Sequence, residues 1–379
     1  MKIFTNEDLK KLLSISESPC ISLYQPTHRH YPDNQQDPIR FGNLLKHLEN
    51  SLQTKFKTDQ VSTLLKPLEE LKSNTSFWNH TYDGLAVFRS ETIFEVFGLQ
   101  NEVDELAIVS DSFHLKPLKK YLQTVDHYHL LCVDRTSIKL YEGNRNQLDE
   151  VELMSEVPKT IQEALGEELT DEHLTVATYG GVKGTSIHGH GSKKDEVAND
   201  TERFFRAVDR AIAEHYSKPA GIPLVLAALS EHHAVFQNVT HNPMLLEKGL
   251  MINPSSLDTE ELRKRSWEVF EPKYLESMEK LGEEYNLSVS KQLGTDDLDM
   301  AFKAASTSRI SKLLVEEDRI IPGKADETGS ITKDKLTNPE VDDLLDDLGE
   351  LVLKMGGEVI IAPSDKMPTR TGLAAIYRY

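Results

Sequence analysis

Cysteine is scarce: Cys20 and Cys132 are the only two in 379 residues, and both sit in apolar, strand-like runs. Neither a disulfide framework nor a cysteine-built zinc site is expected, and reduced core thiols are the default. Long hydrophobic runs are also missing. Nothing approaches the roughly 18 consecutive apolar residues that a bilayer span requires, and the amphipathic first ten residues, which already hold Glu7 and Asp8, lack the core of a signal peptide. A cytoplasmic protein with no membrane role is the expectation. Basic charge is in deficit, with 43 lysines and arginines against 62 acids and a net charge of −19. That argues against DNA as a partner, because non-specific DNA binding depends on neutralising phosphates. The deficit falls mainly on residues 126–290, which hold 17 basic and 29 acidic side chains. No repeat and no low-complexity tract interrupts the chain.

What is present is a hydrophobic content of 38%, ample for packed cores, and a length that suggests two or three domains. Apolar spacing predicts a mixed α/β (α+β) chain of three domains, at 1–125, 126–290 and 291–379. In the first, a strand over 19–24 leads through a polar loop (25–38) to helices over 39–52 and 61–71, then strands at 84–89 and 92–97. The second opens with a hairpin (127–133 and 137–141). A short helix near 158–166, a strand at 173–178, a long helix from Asp195 to about His215, a buried strand at 222–229 and a charged helical stretch over 257–286 follow. The third alternates a helix (296–306), a strand (310–315), a hairpin or loop (316–336), an amphipathic helix carrying Leu344, Leu345, Leu348, Leu351, Val352 and Met355, and strands at 358–362 and the C-terminus. Gly356 and Gly357 are expected to end that last helix.

Chemistry concentrates in residues 179–212. Gly180, Gly181, Gly184, Gly189 and Gly191 fall within twelve residues. Glycine loses the most conformational freedom on ordering, so the loop is read as a projecting tip. His188, Gly189, His190, Gly191, Ser192, Lys193 and Lys194 lead straight into the long helix, on which Val197, Phe204, Phe205, Val208 and Ile212 mark the buried face. Arg203, Arg206 and Arg210, spaced three and four apart, line another face. This row is either a phosphate-tracking stripe or a set of surface salt bridges with Asp200, Glu202 and Asp209, each worth little. His188 and His190, joined by His173 or by His232, His233 and His241, would be needed to build a zinc site. No HisGluxxHis motif accompanies them, and no metal or other cofactor is expected. A second contact is offered by the proline-braced loop holding Thr27, His28, Arg29, His30, Gln35, Gln36 and Arg40. Its alternative is a helix cap in which Asp33 and Asp37 pair with the arginines. Asp342, Asp343, Asp346 and Asp347 read most simply as a solvated helix face.

Four separated motifs, in order, carry a resemblance across essentially the whole chain. They are SerLeuTyrGlnProThrHisArg (22–29) with GlnGlnAspProIleArg (35–40), HisGlyHisGlySerLysLysAsp (188–195), ArgPhePheArgAlaValAsp (203–209), and MetProThr (367–369) with GlyLeuAlaAlaIleTyrArgTyr (372–379). The chain resembles the bacterial relatives, hibernation factors among them, of the archaeal-eukaryotic class-1 peptide release factors and Pelota. The resemblance implies a ribonuclease-H-like central domain, a ribosomal-protein-like αβα C-terminal domain, and the ribosome as partner through rRNA at the A site. It also implies an elongation-factor-type GTPase as a second partner. The release factors' Gly-Gly-Gln is absent: no glutamine lies between 164 and 236. Occupation of vacant or stalled ribosomes without catalysis is therefore the expectation. The alternative is a hydrolase of peptidyl-tRNA or another RNA ester, with His190 as the candidate general base.

Overall fold

The computed structural model describes residues 1–15, 17–99, 102–123, 125–145, 147–166, 190–326 and 328–379. The chain divides into two units, one formed by Met1–Gln123 with Glu276–Tyr379 and the other by Thr124–Leu275. The N-terminal half of the first unit runs β1 (Lys2–Ile3), α1 (Asn6–Leu13), β2 (Cys20–Pro26), α2 (Asp37–Gln53), α3 (Thr58–Lys72), α4 (Thr75–Trp78), β3 (Gly84–Arg89), β4 (Phe94–Leu99), β5 (Leu106–Ser110) and α5 (Lys116–Leu122). Its sheet has the order β1-β4-β3-β2-β5 and is antiparallel apart from the β1–β4 pair. Both faces are covered, so β2 and β3 are apolar almost throughout instead of alternating with polar residues. Ile21, Leu23, Leu85 and Val87 point to one core with α2 and α3, while Cys20, Tyr24, Ala86 and Phe88 point to a second core with Leu12 and Leu118.

The second unit contains β6 (Tyr128–Val133), β7 (Ile138–Gly143), β8 (Leu148–Val151), α6 (Ile161–Leu165), α7 (His190–Ile212), α8 (Lys218–Ala220), β9 (Leu224–Ala228), α9 (Ser230–Val239) and β10 (Leu250–Met251). The helix α10 (Thr259–Ser290) begins in it. The sheet order is β10-β9-β6-β7-β8, with β6, β7 and β8 an antiparallel meander and β9 and β10 parallel to β6. α7 and α9 close one face: Phe204, Phe205, Val208, Ile212 and Phe236 meet Leu131, Leu140, Leu224 and Leu226 in one core. On α10, Ser266 and Phe270 meet Tyr128 of β6, the Ser266 hydroxyl at 2.7 Å. The strand expected over 173–178 lies outside the described residues.

The C-terminal half of the first unit has β11 (Gly294–Thr295), α11 (Leu298–Ser306), β12 (Ile310–Glu316), β13 (Pro322–Ala325), β14 (Ile331–Lys333), β15 (Asp342–Asp343), α12 (Leu344–Lys354), β16 (Glu358–Ala362) and β17 (Leu373–Tyr377). Its sheets are β11-β17-β12-β16 and a small β14-β13-β15. Gly356 and Gly357 do end α12. Gly356 takes a φ of +75°, a conformation that costs other residues, and a Cβ on Gly357 would come 2.6 Å from Val352 Cγ1. One expectation fails here. Asp342, Asp343 and Asp346 are buried and ion-paired rather than solvated, because α5 brings His114, Lys116 and Lys119 against them. The cysteines are buried free thiols, and burial pushes both up to about 12.

Candidate nucleic-acid interface

In the first unit, the polar loop leaves β2 and enters α2 at Asp37, whose side chain organises it. This fully buried carboxylate accepts from the His28 backbone N–H at 2.8 Å, lies 2.8 Å from His28 Nδ1, and receives Arg40 Nη1 at 3.4 Å. Buried Gln25 donates to the Asp37 carbonyl at 3.2 Å. Thr27 turns inward: it is buried, its hydroxyl donates to the Tyr82 carbonyl at 2.8 Å and its N–H to the Asp83 carbonyl. Arg29 makes a bidentate pair with Asp83 at 2.8 and 2.7 Å and covers the Tyr82 ring at 5.5 Å. Arg40 also reaches Glu105 at 2.7 Å.

The loop is thus a braced cap, with Asp37, Asp83 and Glu105 as the arginines' partners. Thr27 serves the fold. The outward surface is left to His30, Tyr31 (76% exposed), Gln35, Gln36 and Ile39, with His28 and Arg29 partly exposed beside them. Tyr31 and Ile39 are the residues that sequence reasoning passed over. Their signal was an aromatic residue inside an otherwise polar loop and, in the first turn of α2, a branched aliphatic residue off the apolar stripe.

In the second unit α7 carries the other candidate surface. His188 and Gly189 lie outside the described residues, as do Gly180, Gly181 and Gly184. His190, Gly191, Ser192, Lys193 and Lys194 form the first turns of the helix, which therefore starts five residues earlier than Asp195. A helix start concentrates unpaired backbone N–H groups and a positive dipole end. Farther along, Arg203, Arg206 and Arg210 are all exposed. Arg203 stands 3.6 Å from Asp200 and Arg206 lies 2.7 Å from Glu202, both pairs within one helical turn. Asp209 takes no part in this row. It is buried and accepts from the Thr240 hydroxyl at 2.6 Å and the His241 N–H at 2.8 Å, tying the end of α9 to α7. Exposed pairs of this kind contribute little and are screened by salt, so the arginines can exchange a carboxylate for a phosphate at small cost.

The remaining histidines serve separate purposes. His232 packs edge-on against Phe205 at 5.8 Å, and His233 is buried, with burial lowering its pKa. The His233 ring lies so close to Gly249 that a Cβ there would come 2.4 Å from Nε2. His173 is outside the described residues. Among the described residues, one trio could bring metal-binding atoms within 4.8 Å of one another: His114, Asp342 and Asp346. Asp346 already accepts from Lys119 and the Leu115 N–H, and Asp342 from His114 and the Asp343 N–H. Ion pairing accounts for this group.

Residues 127–309, just under half of the chain, match the sequence profile of the Bacterial archaeo-eukaryotic release factor family 3. None of the curated proteins matches. Among solved structures, the archaeal translation termination factor aRF1 is 15% identical, covering 98% of this chain and 96% of that one with a TM-score of 0.25. Dom34 of S. cerevisiae, described as a translation termination-like factor, is 12% identical over 76% of this chain and 74% of its own, with a TM-score of 0.39. Archaeal Pelota, from a model of ribosome-bound Pelota and ABCE1, is 11% identical over 100% and 95%, with a TM-score of 0.42. The profile match bears out, over residues 127–309, the resemblance carried by the sequence motifs: this segment is similar to the bacterial archaeo-eukaryotic release factors. No described helix is long and apolar enough to cross a membrane.

Proposed function

We propose that this chain is a ribosome-associated factor that occupies the A site of vacant or stalled ribosomes, in hibernation or rescue, without itself catalysing a reaction. The observation that carries the reading is the exposed Arg203–Arg206–Arg210 row on α7, inside the segment that matches a release-factor family. In this reading the row and the leading turns of α7, with His190, Lys193 and Lys194, face rRNA, and His188 and Gly189 extend the contact. His28, Arg29 and Arg40 would hold the second contact in the first unit, with Thr27 as its internal brace. The sheet order of the second unit, a three-stranded meander extended by two parallel strands, supports a ribonuclease-H-like central domain. An elongation-factor-type GTPase acting with the C-terminal half completes the proposal.

The sequence difference from Gly-Gly-Gln factors favours occupation over hydrolysis, since no glutamine stands near the tip to orient a water molecule. Sedimentation with empty ribosomes, with and without a translational GTPase, tests the reading. Replacing His190 with alanine separates it from the hydrolase alternative. An occupant keeps most of its ribosome binding, whereas an enzyme loses turnover of a peptidyl-tRNA or other RNA ester.

A further inference from the structure

The first unit is built from both ends of the chain, yet the clusters around β2 and β3 draw on the N-terminal half alone. The cluster beneath α11 and α12 draws on the C-terminal half alone. Polar groups join the two halves. His114 Nδ1 lies 3.0 Å from Asp342 Oδ1 and 3.5 Å from Asp346 Oδ2. Lys116 pairs with Asp343 at 2.5 Å and Lys119 with Asp346 at 2.6 Å, and the Leu115 N–H donates to Asp346 at 2.7 Å. Farther out, Lys120 pairs with Glu317, Lys324 with Asp111 and Lys55 with Glu340. The inner groups are nearly inaccessible: His114, Asp342 and Asp346 are each about 1% exposed.

Buried charges are tolerated only when paired, and removing one partner leaves the other uncompensated. The inner seam sets Lys116, Lys119 and a protonated His114 against Asp342, Asp343, Asp346 and Glu350, and Glu350 also meets Lys354 of its own helix at 3.4 Å. Two carboxylate oxygens there, Asp342 Oδ2 and Glu350 Oε1, have no hydrogen-bond partner among the described residues. We propose that this seam is a proton-dependent latch: protonated His114 holds the C-terminal half of the first unit against the N-terminal half, and its deprotonation loosens the seam while both cores stay folded. The proposal stands independently of the ribosomal reading.

Every element around His114 is consistent with this role. From β2, Ser22 accepts its backbone N–H at 2.9 Å and Tyr24 donates to its carbonyl at 2.6 Å. Burial raises the Tyr24 hydroxyl well above its ordinary value and pushes the Cys20 thiol up to about 12, so both stay neutral. Burial alone would depress His114, but Asp346 and Asp342 outweigh it and raise the ring from 6.5 to about 8. On α12, burial raises Glu350 from 4.5 to about 7 despite Lys119, and burial holds Asp347 well above its ordinary value. Burial likewise raises Asp342, whereas Lys119 and His114 overcome it at Asp346, which is lowered. Lys119 is raised because Asp346 and Glu350 outweigh its burial. Between neutral and pH 8, ionisation of Glu350 therefore adds a negative charge as His114 gives up a positive one.

Amide hydrogen exchange of the full chain between pH 6 and pH 9, corrected for intrinsic rates, tests this. Exchange across 114–122 and 342–352 should rise by up to about thirtyfold, the ratio of the two His114 proton affinities, while β2, β3, β12 and β17 stay protected. His114→Gln should exchange fast along the seam already at pH 6. Glu350→Gln, which removes one ionisation and breaks only the half-exposed pair with Lys354, should move the opening to higher pH; it carries the test if His114→Gln does not fold. Unchanged seam exchange from pH 6 to 9 overturns the latch, as does parallel opening of the strands. Opening by a chelator at pH 6 also overturns it, because a metal rather than a proton would then hold the seam.

Discussion

Arg203, Arg206 and Arg210 protrude from a helix whose opposite side is sealed by Phe204, Phe205 and Val208, so they can be changed without disturbing the core. Replacing all three with alanine should weaken ribosome binding and flatten its dependence on salt, by about one unit of slope per arginine that meets a phosphate. A melting temperature unchanged from wild type would show that the loss belongs to the contact. Gly249 makes the opposite case. A methyl group there would meet both His233 Nε2 and the Leu226 carbonyl at 2.4 Å, so Gly249→Ala should destabilise the second unit by about 1–3 kcal/mol, measured by denaturant unfolding. Which residues face outward was only partly readable at this scale. The arginine row followed from three-and-four spacing, but that Thr27 turns inward and Tyr31 outward depends on Asp37, Tyr82 and Asp83 enclosing the loop, and the latter two come from a distant part of the chain.

Elements with a strong apolar period were legible. The stripe over 39–52 became α2 at Asp37–Gln53, the run over 222–229 became β9, and the stripe from Leu344 became α12. Among the elements passed over, α5 is short and rich in lysine and α9 is ten residues long, so no stripe announces them. The burial of Asp342, Asp343 and Asp346 was illegible for the same reason: the partner of Asp342, His114, lies 228 residues away. A sequence reports the period of its own helix, not the charge that another helix brings to it. α7 shows how closely one element depends on its neighbour, since Asp209 alone accepts two hydrogen bonds from the end of α9. Asp209→Ala leaves the Thr240 hydroxyl and the His241 N–H without their acceptor, and should cost about 1–3 kcal/mol. Phe205→Ala should cost about 3–5 kcal/mol through the cavity it leaves. Both losses are to be measured by thermal or chemical denaturation.

For the whole molecule, the acidic balance and the buried seam predict how stability follows pH. His114 has its folded value raised above 6.5, so its contribution is complete below pH 6.5 and is lost as pH rises through about 8. For a shift of that size the contribution is about 2 kcal/mol. Glu350 acts in the same direction, with a contribution lost as pH rises from 4.5 through about 7. The first unit should therefore melt at lower temperature at pH 9 than at pH 6, the reverse of a fold that acid alone weakens. Separate calorimetric transitions for the two units would assign the effect.

Co-sedimentation of the purified chain with empty ribosomes at several salt concentrations, with A-site tRNA as competitor, decides whether the chain occupies the ribosome. Stoichiometric, salt-sensitive binding that A-site tRNA displaces and that the triple arginine variant loses is the expected result. Absence of binding in every condition, with or without a translational GTPase, would contradict it.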